Sequence, residues 1–151
     1  MGVLTAAESD AFVDRIEAHW NAHGWGLWAI EVPGVAPFVG YTGLWPAPLP
    51  SGPAVEVGWR LTRAHWGRGY ATEAGRAALR FGFEDLGLAE IVSFTVPANV
   101  RSIRVMERLG LERDMTGDFD HPSVDPAAFP HLVRHALYRI ARDAWRERGP
   151  R

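Results

Sequence analysis

The alternation of apolar and polar positions along the first third of the chain predicts one helix followed by two strands. Phe12 and Ile16 recur at helical spacing behind Thr5-x-x-Glu8, which is a capping-box pattern. A helix is therefore predicted over Ala6–His23. Two alternating apolar runs follow it and predict an antiparallel pair of strands. These runs cover Trp25–Val32 and Phe38–Leu44.

The remainder of the chain alternates strands with helices. Pro46–Pro53 holds four prolines in eight residues and predicts a stiff, extended loop. The order of strand, loop, helix and strand in the middle of the chain predicts a parallel crossover unit. The further predicted strands are Val55–Leu61, Glu90–Val96, Leu111–Met115 and Leu132–Ile140, the helices are Ala71–Leu86 and Val100–Leu109, and the loops are Thr62–Tyr70 and Asp118–Pro130.

This order predicts the α+β class, with a mixed, mostly antiparallel sheet, flanking helices and a central parallel β-α-β unit. The 151 residues suit one domain over 1–151, in which 142–151 is a polar tail. No apolar run reaches membrane-spanning length, and Met1–Asp10 does not resemble a signal peptide. We therefore expect a cytoplasmic protein without a membrane partner.

Composition excludes several kinds of chemistry. The chain has no cysteine, so disulfides, thiolate metal sites and cysteine nucleophiles are excluded. All sixteen cationic side chains are arginines, so a Walker A lysine and a Schiff-base lysine are excluded as well. The formal net charge of −2 argues against a nucleic-acid partner, because such proteins usually carry a basic excess.

A glycine-rich loop between a predicted strand and a predicted helix is the main candidate for a binding site. Gly67 and Gly69 let the backbone approach an anion, the helix start supplies free N–H groups, and Arg68 adds positive charge. A dinucleotide site fits poorly, because Thr72 stands where that motif has glycine or alanine. A plain glycine-rich turn is the alternative without a ligand.

Three segments carry a resemblance to a known family: HWGRGYATEA over 65–74, NVRSIRVMERLG over 99–110, and DFDHP over 118–122. Together they resemble the GNAT superfamily of N-acetyltransferases, and within it the branch of the RimJ/RimL ribosomal-protein acetyltransferases. The resemblance runs from about Ser9 to Ile140. It implies a GNAT-like fold, but one without the strand and helix that usually precede the first predicted helix.

The resemblance implies that acetyl-CoA is the co-substrate. Its diphosphate would lie on backbone N–H groups of the glycine loop, and its pantetheine arm would pair with the preceding strand. The residues expected to bind it are Trp59, Leu61, Trp66, Gly67, Arg68, Gly69, Tyr70, Ala71, Thr72 and Asn99.

The resemblance does not supply the usual catalytic acid, because Met106 stands where many members have a tyrosine, and methionine donates no proton. The RimJ/RimL-like branch has a serine one turn earlier, here Ser102, whose hydroxyl would assist the leaving thiolate. A first-turn structural serine is an equal alternative. A bulge near Leu61 would expose its N–H to the oxyanion. Glu56 is the candidate base, acting through water, unless it is simply a solvated strand glutamate.

These residues predict direct acetyl transfer from acetyl-CoA to a primary amine, on a protein or peptide N-terminus or on a small molecule. The alternative is a non-catalytic acyl-CoA-binding or regulatory module. Asp118 and Asp120 would attract a cationic amine, and their spacing with His121 does not favour a metal site. An exposed sheet edge makes a homodimer possible.

Overall fold

The computed structural model describes residues 4–149. Helix α1 spans Ala6–His23, as predicted. The amide of Glu8 donates to the Thr5 hydroxyl over 3.3 Å, and the Thr5 amide donates to the Glu8 carboxylate over 2.7 Å, which is the reciprocal capping box. Gly24 ends the helix with a φ of 73°.

Seven strands form one mixed sheet, which confirms the α+β class. Their order is β1-β2-β3-β4-β7-β5, and β6 pairs with β7. Every pair is antiparallel except β3 with β4. The strands are β1 Leu27–Val32, β2 Ala36–Leu49, β3 Gly52–Leu61, β4 Glu90–Thr95, β5 Glu112–Arg113, β6 Phe119–Asp120 and β7 Arg134–Ala141.

Three further helices follow α1. They are α2 Tyr70–Arg80, α3 Val100–Leu109 and α4 Arg142–Arg148. The predicted helix Ala71–Leu86 corresponds to α2, but after Arg80 the α-helix widens into a π turn over Phe81–Asp85. None of the helices within residues 4–149 is long and apolar enough to cross a membrane.

The sheet buries apolar side chains on both faces. Helices α2 and α3 cover one face, and α1 contacts the other through Phe12 beside Tyr41 and His19 beside Trp45. The larger cluster, on the α2 and α3 side, includes Leu44, Val57, Ala78, Leu79, Phe83, Ile91, Met106 and Leu109. The smaller cluster is Ala47, Leu49, Val92, Phe119 and Leu137.

The predicted loop over Pro46–Pro53 is wrong, because β2 and β3 continue through it as a hairpin. Pro46 pairs with Val55, and only Pro50 and Ser51 lie between the two strands. Alternate pairs of an antiparallel ladder exchange no hydrogen bonds, and the prolines of the strands occupy these positions. At these positions an N–H group would point away from the partner strand, toward a side on which no other strand of the described residues is paired. The lack of an N–H group in proline therefore removes no hydrogen bond from the sheet.

Smaller corrections concern element ends. The first strand begins two residues later than predicted, the strand predicted over Leu111–Met115 shrinks to Glu112–Arg113, and the last strand begins at Arg134. The loop Asp118–Pro130 contains the short strand β6. Most of the predicted polar tail 142–151 is helix α4, because Trp145 packs with its ring centroid 5.3 Å from that of Phe83. Pro150 and Arg151, like Met1–Val3, lie outside the described residues.

Candidate functional site

A cleft of about 570 Å³ opens where the two parallel strands part. Glu56 of β3 and Val92 of β4 are the one paired position that joins these strands. Beyond it the strands diverge toward their carboxyl ends, and the cleft lies between them. Such a gap at the ends of parallel strands is a common location for a ligand.

Strand β3 turns unpaired backbone groups toward this cleft. Thr62 N–H donates to Val39 C=O over 2.9 Å. Because hydrogen-bonded and non-hydrogen-bonded pairs alternate along an antiparallel ladder, this bond shows which pairs of β2 and β3 exchange hydrogen bonds. Trp59 and Leu61 fall on the alternate positions, so their N–H and C=O groups point away from β2, although the Leu61 C=O accepts a hydrogen bond from the Trp66 indole. The predicted bulge is wrong, because the pairing of β2 with β3 is continuous from the Gly40–Leu61 pair to the Leu49–Gly52 pair. Simple alternation beside a diverging neighbour already exposes the Leu61 N–H.

The glycine loop forms a cradle of backbone donors at the start of α2. Gly67 and Gly69 adopt left-handed conformations with φ of 74° and 88°. Among residues 4–149, no backbone or side-chain group accepts a hydrogen bond from the five consecutive N–H groups of 67–71. A Cβ added at either glycine would meet nothing within 4 Å. Open space, free donors and a helix start suit a diphosphate.

Trp66 and Arg101 meet across the mouth of the cleft. The Trp66 indole N–H donates to the Leu61 carbonyl over 2.8 Å. The guanidinium carbon of Arg101 lies 4.9 Å from the centroid of the Trp66 ring, which is cation–π distance. The indole therefore links the loop to β3 and to α3. Arg68 differs from the other predicted cofactor residues, because its exposed side chain does not line the cleft.

Helix α3 contributes cations that the sequence reasoning missed. Arg101, Arg104 and Arg108 all line the cleft. Their spacing of three and four residues places them on one face of the helix. That spacing is visible in the sequence and would have identified them. Buried Ser93 on β4 was missed for a different reason, because a lone strand serine carries no signal.

Asn99 and Ser102 form a small network at the start of α3. The Asn99 side-chain amide donates to the Ser102 hydroxyl over 3.1 Å and to the Thr95 hydroxyl over 3.0 Å. The Ser102 amide donates to the Asn99 side-chain oxygen over 3.3 Å, which makes Asn99 the N-cap. Because the Ser102 oxygen accepts from Asn99, its own proton is free to point into the cleft. Met106, one turn on, is buried and lines the same cleft.

Glu56 reaches the cleft from β3 with its carboxyl unpaired. No cation lies within ion-pair distance of it among residues 4–149. Burial raises the pKa of Glu56 from 4.5 to about 8. The neighbouring Tyr41 also has a raised pKa, mainly because its hydroxyl is desolvated. A carboxyl with a pKa near neutrality in a cleft has the property that a general base requires.

The acidic loop beyond β5 has structural partners. Asp118 pairs with Arg113 over 2.5 Å, and Asp120 pairs with Arg134 over 3.2 Å. The His121 ring accepts a hydrogen bond from the Ser123 amide over 3.2 Å. Within residues 4–149, no group of three acidic or histidine side chains is placed to hold a metal ion. Each of the two aspartates therefore has an arginine partner within the protein.

Comparison with known proteins places the chain among characterised folds. The profile of the acetyltransferase (GNAT) domain matches residues 1–112. The chain is 34% identical over 115 residues to the uncharacterized protein YkkB of Bacillus subtilis, and this match covers 76% of this chain and 67% of that protein. It is 34% identical over 128 residues to FsC-acetyl coenzyme A-N(2)-transacetylase of Aspergillus fumigatus, with coverage of 81% and 52%.

The fold agrees with these matches. The crystal structure of an acetyltransferase from Agrobacterium tumefaciens superposes with a TM-score of 0.71 at 29% identity, covering 92% of this chain and 74% of the other. The chain spans 67% and 52% of the lengths of the two curated relatives.

Proposed function

The chain belongs to the GNAT acetyltransferases, and we propose that it transfers an acetyl group from acetyl-CoA to a primary amine by direct attack. The observation that carries the proposal is the cleft itself. It joins an unpaired strand edge, a cradle of backbone donors and an unpaired carboxyl with a raised pKa in one space. The name of the Aspergillus relative supports acetyl-CoA as the co-substrate.

The cofactor is held mainly by backbone groups in this proposal. The N–H groups of 67–71 take the diphosphate, and the strand edge at Trp59 takes the pantetheine arm like an added strand, which leaves the Leu61 N–H for the acyl carbonyl. Arg101 and Arg104 add positive charge along the same wall. The bound thioester supplies an activated acyl carbon beside the Leu61 N–H.

Three groups of the chain then divide the chemistry. Glu56 takes the proton of the attacking amine through a water molecule, since its pKa of about 8 lets it exchange protons near neutral pH. The Leu61 N–H donates to the oxyanion that forms at the acyl carbonyl. The Ser102 hydroxyl donates to the departing sulfur, so the proton path needs no tyrosine at Met106. No acyl-enzyme is required, in agreement with the absence of cysteine.

The acceptor and the subfamily are finer points of the same proposal. We place the chain in the RimJ/RimL-like branch on the segments 99–110 and 118–122. The acceptor is a primary amine of a protein or peptide N-terminus or of a small molecule. The domain is a single unit, because both apolar clusters lie on the two faces of one sheet.

Thiol release measured with a panel of amines tests the proposal. The purified chain is incubated with acetyl-CoA and each amine, and free CoA is measured with a thiol reagent. The chain has no cysteine and gives no background of its own. Amine-dependent release, with the acetylated product seen by mass spectrometry, is expected. Acetyl-CoA binding without release for any amine would contradict catalysis and favour the non-catalytic acyl-CoA module.

A further inference from the structure

A second groove, of about 430 Å³, lies between α2, α3 and α4. Four arginines reach it from three helices: Arg76 and Arg80 from α2, Arg108 from α3 and Arg148 from α4. Arg76 and Arg80 are one turn apart and therefore share one face of α2. The groove meets the cleft described above only at Arg108, which lines both.

The charge of this groove is unlike that of the whole chain. The chain has a formal net charge of −2, whereas four arginines and one acidic residue, Glu73, line the groove, and one of the arginines, Arg148, pairs with Glu112 outside the lining. Within residues 4–149, no carboxylate lies within ion-pair distance of Arg76, Arg80 or Arg108. Like charges that converge in a concave site repel each other, and a bound anion relieves this repulsion.

The floor and one wall of the groove are held in place by packing. Trp145 is half-buried against the core, and its ring lies beside that of Phe83. The side chain of Arg148 passes directly over Gly110, where an added Cβ would come within 3.0 Å of the Arg148 Cδ atom. Arg148 also pairs with Glu112 over 3.0 Å. This arginine is therefore oriented before any ligand arrives.

We propose that the groove between α2, α3 and α4 is a phosphate-binding site that takes a ligand with two or more phosphoryl groups. Arginine suits this chemistry, because its planar fork donates two parallel hydrogen bonds to phosphate oxygens. Because the arginines stand on separate helices, they can contact several phosphoryl groups at once, which favours a ligand with more than one such group. Two sources have this chemistry: a free polyphosphate, or a phosphoryl group of a ligand that extends past Arg108 from the neighbouring cleft.

Calorimetric titration with inorganic tripolyphosphate tests the site. The parent is compared with an Arg76→Gln/Arg80→Gln variant and with an Arg15→Gln/Arg146→Gln control. Both variants lose two positive charges, but Arg15 and Arg146 line neither cavity. Each titration is run alone and with saturating acetyl-CoA, and urea unfolding shows that each variant is folded. A last arm compares CoA with dephospho-CoA.

The site predicts binding that the groove variant weakens about tenfold for each lost arginine, while the control changes it less than twofold. Binding that persists beside acetyl-CoA identifies a free polyphosphate as the source. Binding abolished by acetyl-CoA, with a preference for CoA over dephospho-CoA that the variant loses, identifies a phosphoryl group reaching in from the cleft. Equal affinity of parent, variant and control would overturn the proposal, whether or not the chain transfers acetyl groups.

Discussion

Replacing Glu56 with glutamine removes the one carboxyl among the described residues that line the cleft, and it has opposite effects on activity and stability. Burial raises the pKa of Glu56 from 4.5 to about 8, and among residues 4–149 no cation lies within ion-pair distance of its carboxyl. The folded state therefore binds a proton that the unfolded state releases between these two pH values. Stability falls as the pH rises through this window. At about 1.4 kcal/mol for each pH unit, the full loss is about 5 kcal/mol as an upper bound.

Glutamine has nearly the same shape and never ionises. We expect the Glu56→Gln variant to be about as stable as the parent near pH 4.5, and more stable by up to about 5 kcal/mol above pH 8. Urea unfolding of both proteins at several pH values measures this difference directly. The same variant is expected to lose acetyl transfer by roughly a hundredfold or more, because its side chain accepts no proton.

The pH profile of activity separates the role of Glu56 from a general loss of function. A weakly basic acceptor that stays neutral across the range keeps its own ionisation out of the measurement. With it, kcat/KM of the parent should rise through a pKa near 8, and the variant should lack this rise. A stability difference that does not change with pH, or a parent profile without that ionisation, would refute the reasoning.

Four further substitutions, one of them a control, are predicted to act locally. Ser102→Ala should lower kcat about tenfold with an unchanged KM for acetyl-CoA, measured by thiol release; an equal loss of affinity would contradict a role in protonating sulfur. Trp66→Phe keeps an aromatic ring but loses the indole hydrogen bond to Leu61, so kcat should fall about fivefold, and an unchanged kcat would exclude this anchoring. Gly40→Ala should destabilise the fold by about 3 kcal/mol in urea unfolding, because a Cβ there collides with a backbone carbonyl; Gly34→Ala, at an open turn, should cost about 1 kcal/mol. Equal costs at the two glycines would refute this steric argument.

Elements with local signals were predictable from the sequence. Helix α1 was predicted to its exact ends, because the capping box at Thr5 and Glu8 and the glycine at position 24 are all local. The Pro46–Pro53 hairpin was not predictable in this way, because its prolines are tolerated only in a register that places them at non-hydrogen-bonded pairs, with no further strand paired on their other side. Such a register depends on partners that are distant in sequence, and a composition rule cannot supply it.

The candidate site divides in the same way. The cradle over 67–71 follows from glycines between a strand and a helix, so its position could be predicted. The unpaired edge at Leu61 was expected from a bulge, whereas it arises from strand alternation and the divergence of β4. The raised pKa of Glu56 depends on how much water its neighbours exclude. The arginine groove depends on three helices meeting, which no single segment reveals.

Calorimetric titration with acetyl-CoA of the parent, a Gly69→Glu variant and a Gly34→Glu control tests the central claim most directly. Both glycines have left-handed backbones and open space around a Cβ, with φ of 88° and 73°, so the two substitutions carry similar backbone strain. Only the one at Gly69 places a carboxylate in the cradle of N–H donors. We predict that the parent and the control bind acetyl-CoA and that the folded Gly69→Glu variant does not. Equal binding by both variants, or no binding by the folded parent, would contradict the assignment of the cleft to this co-substrate.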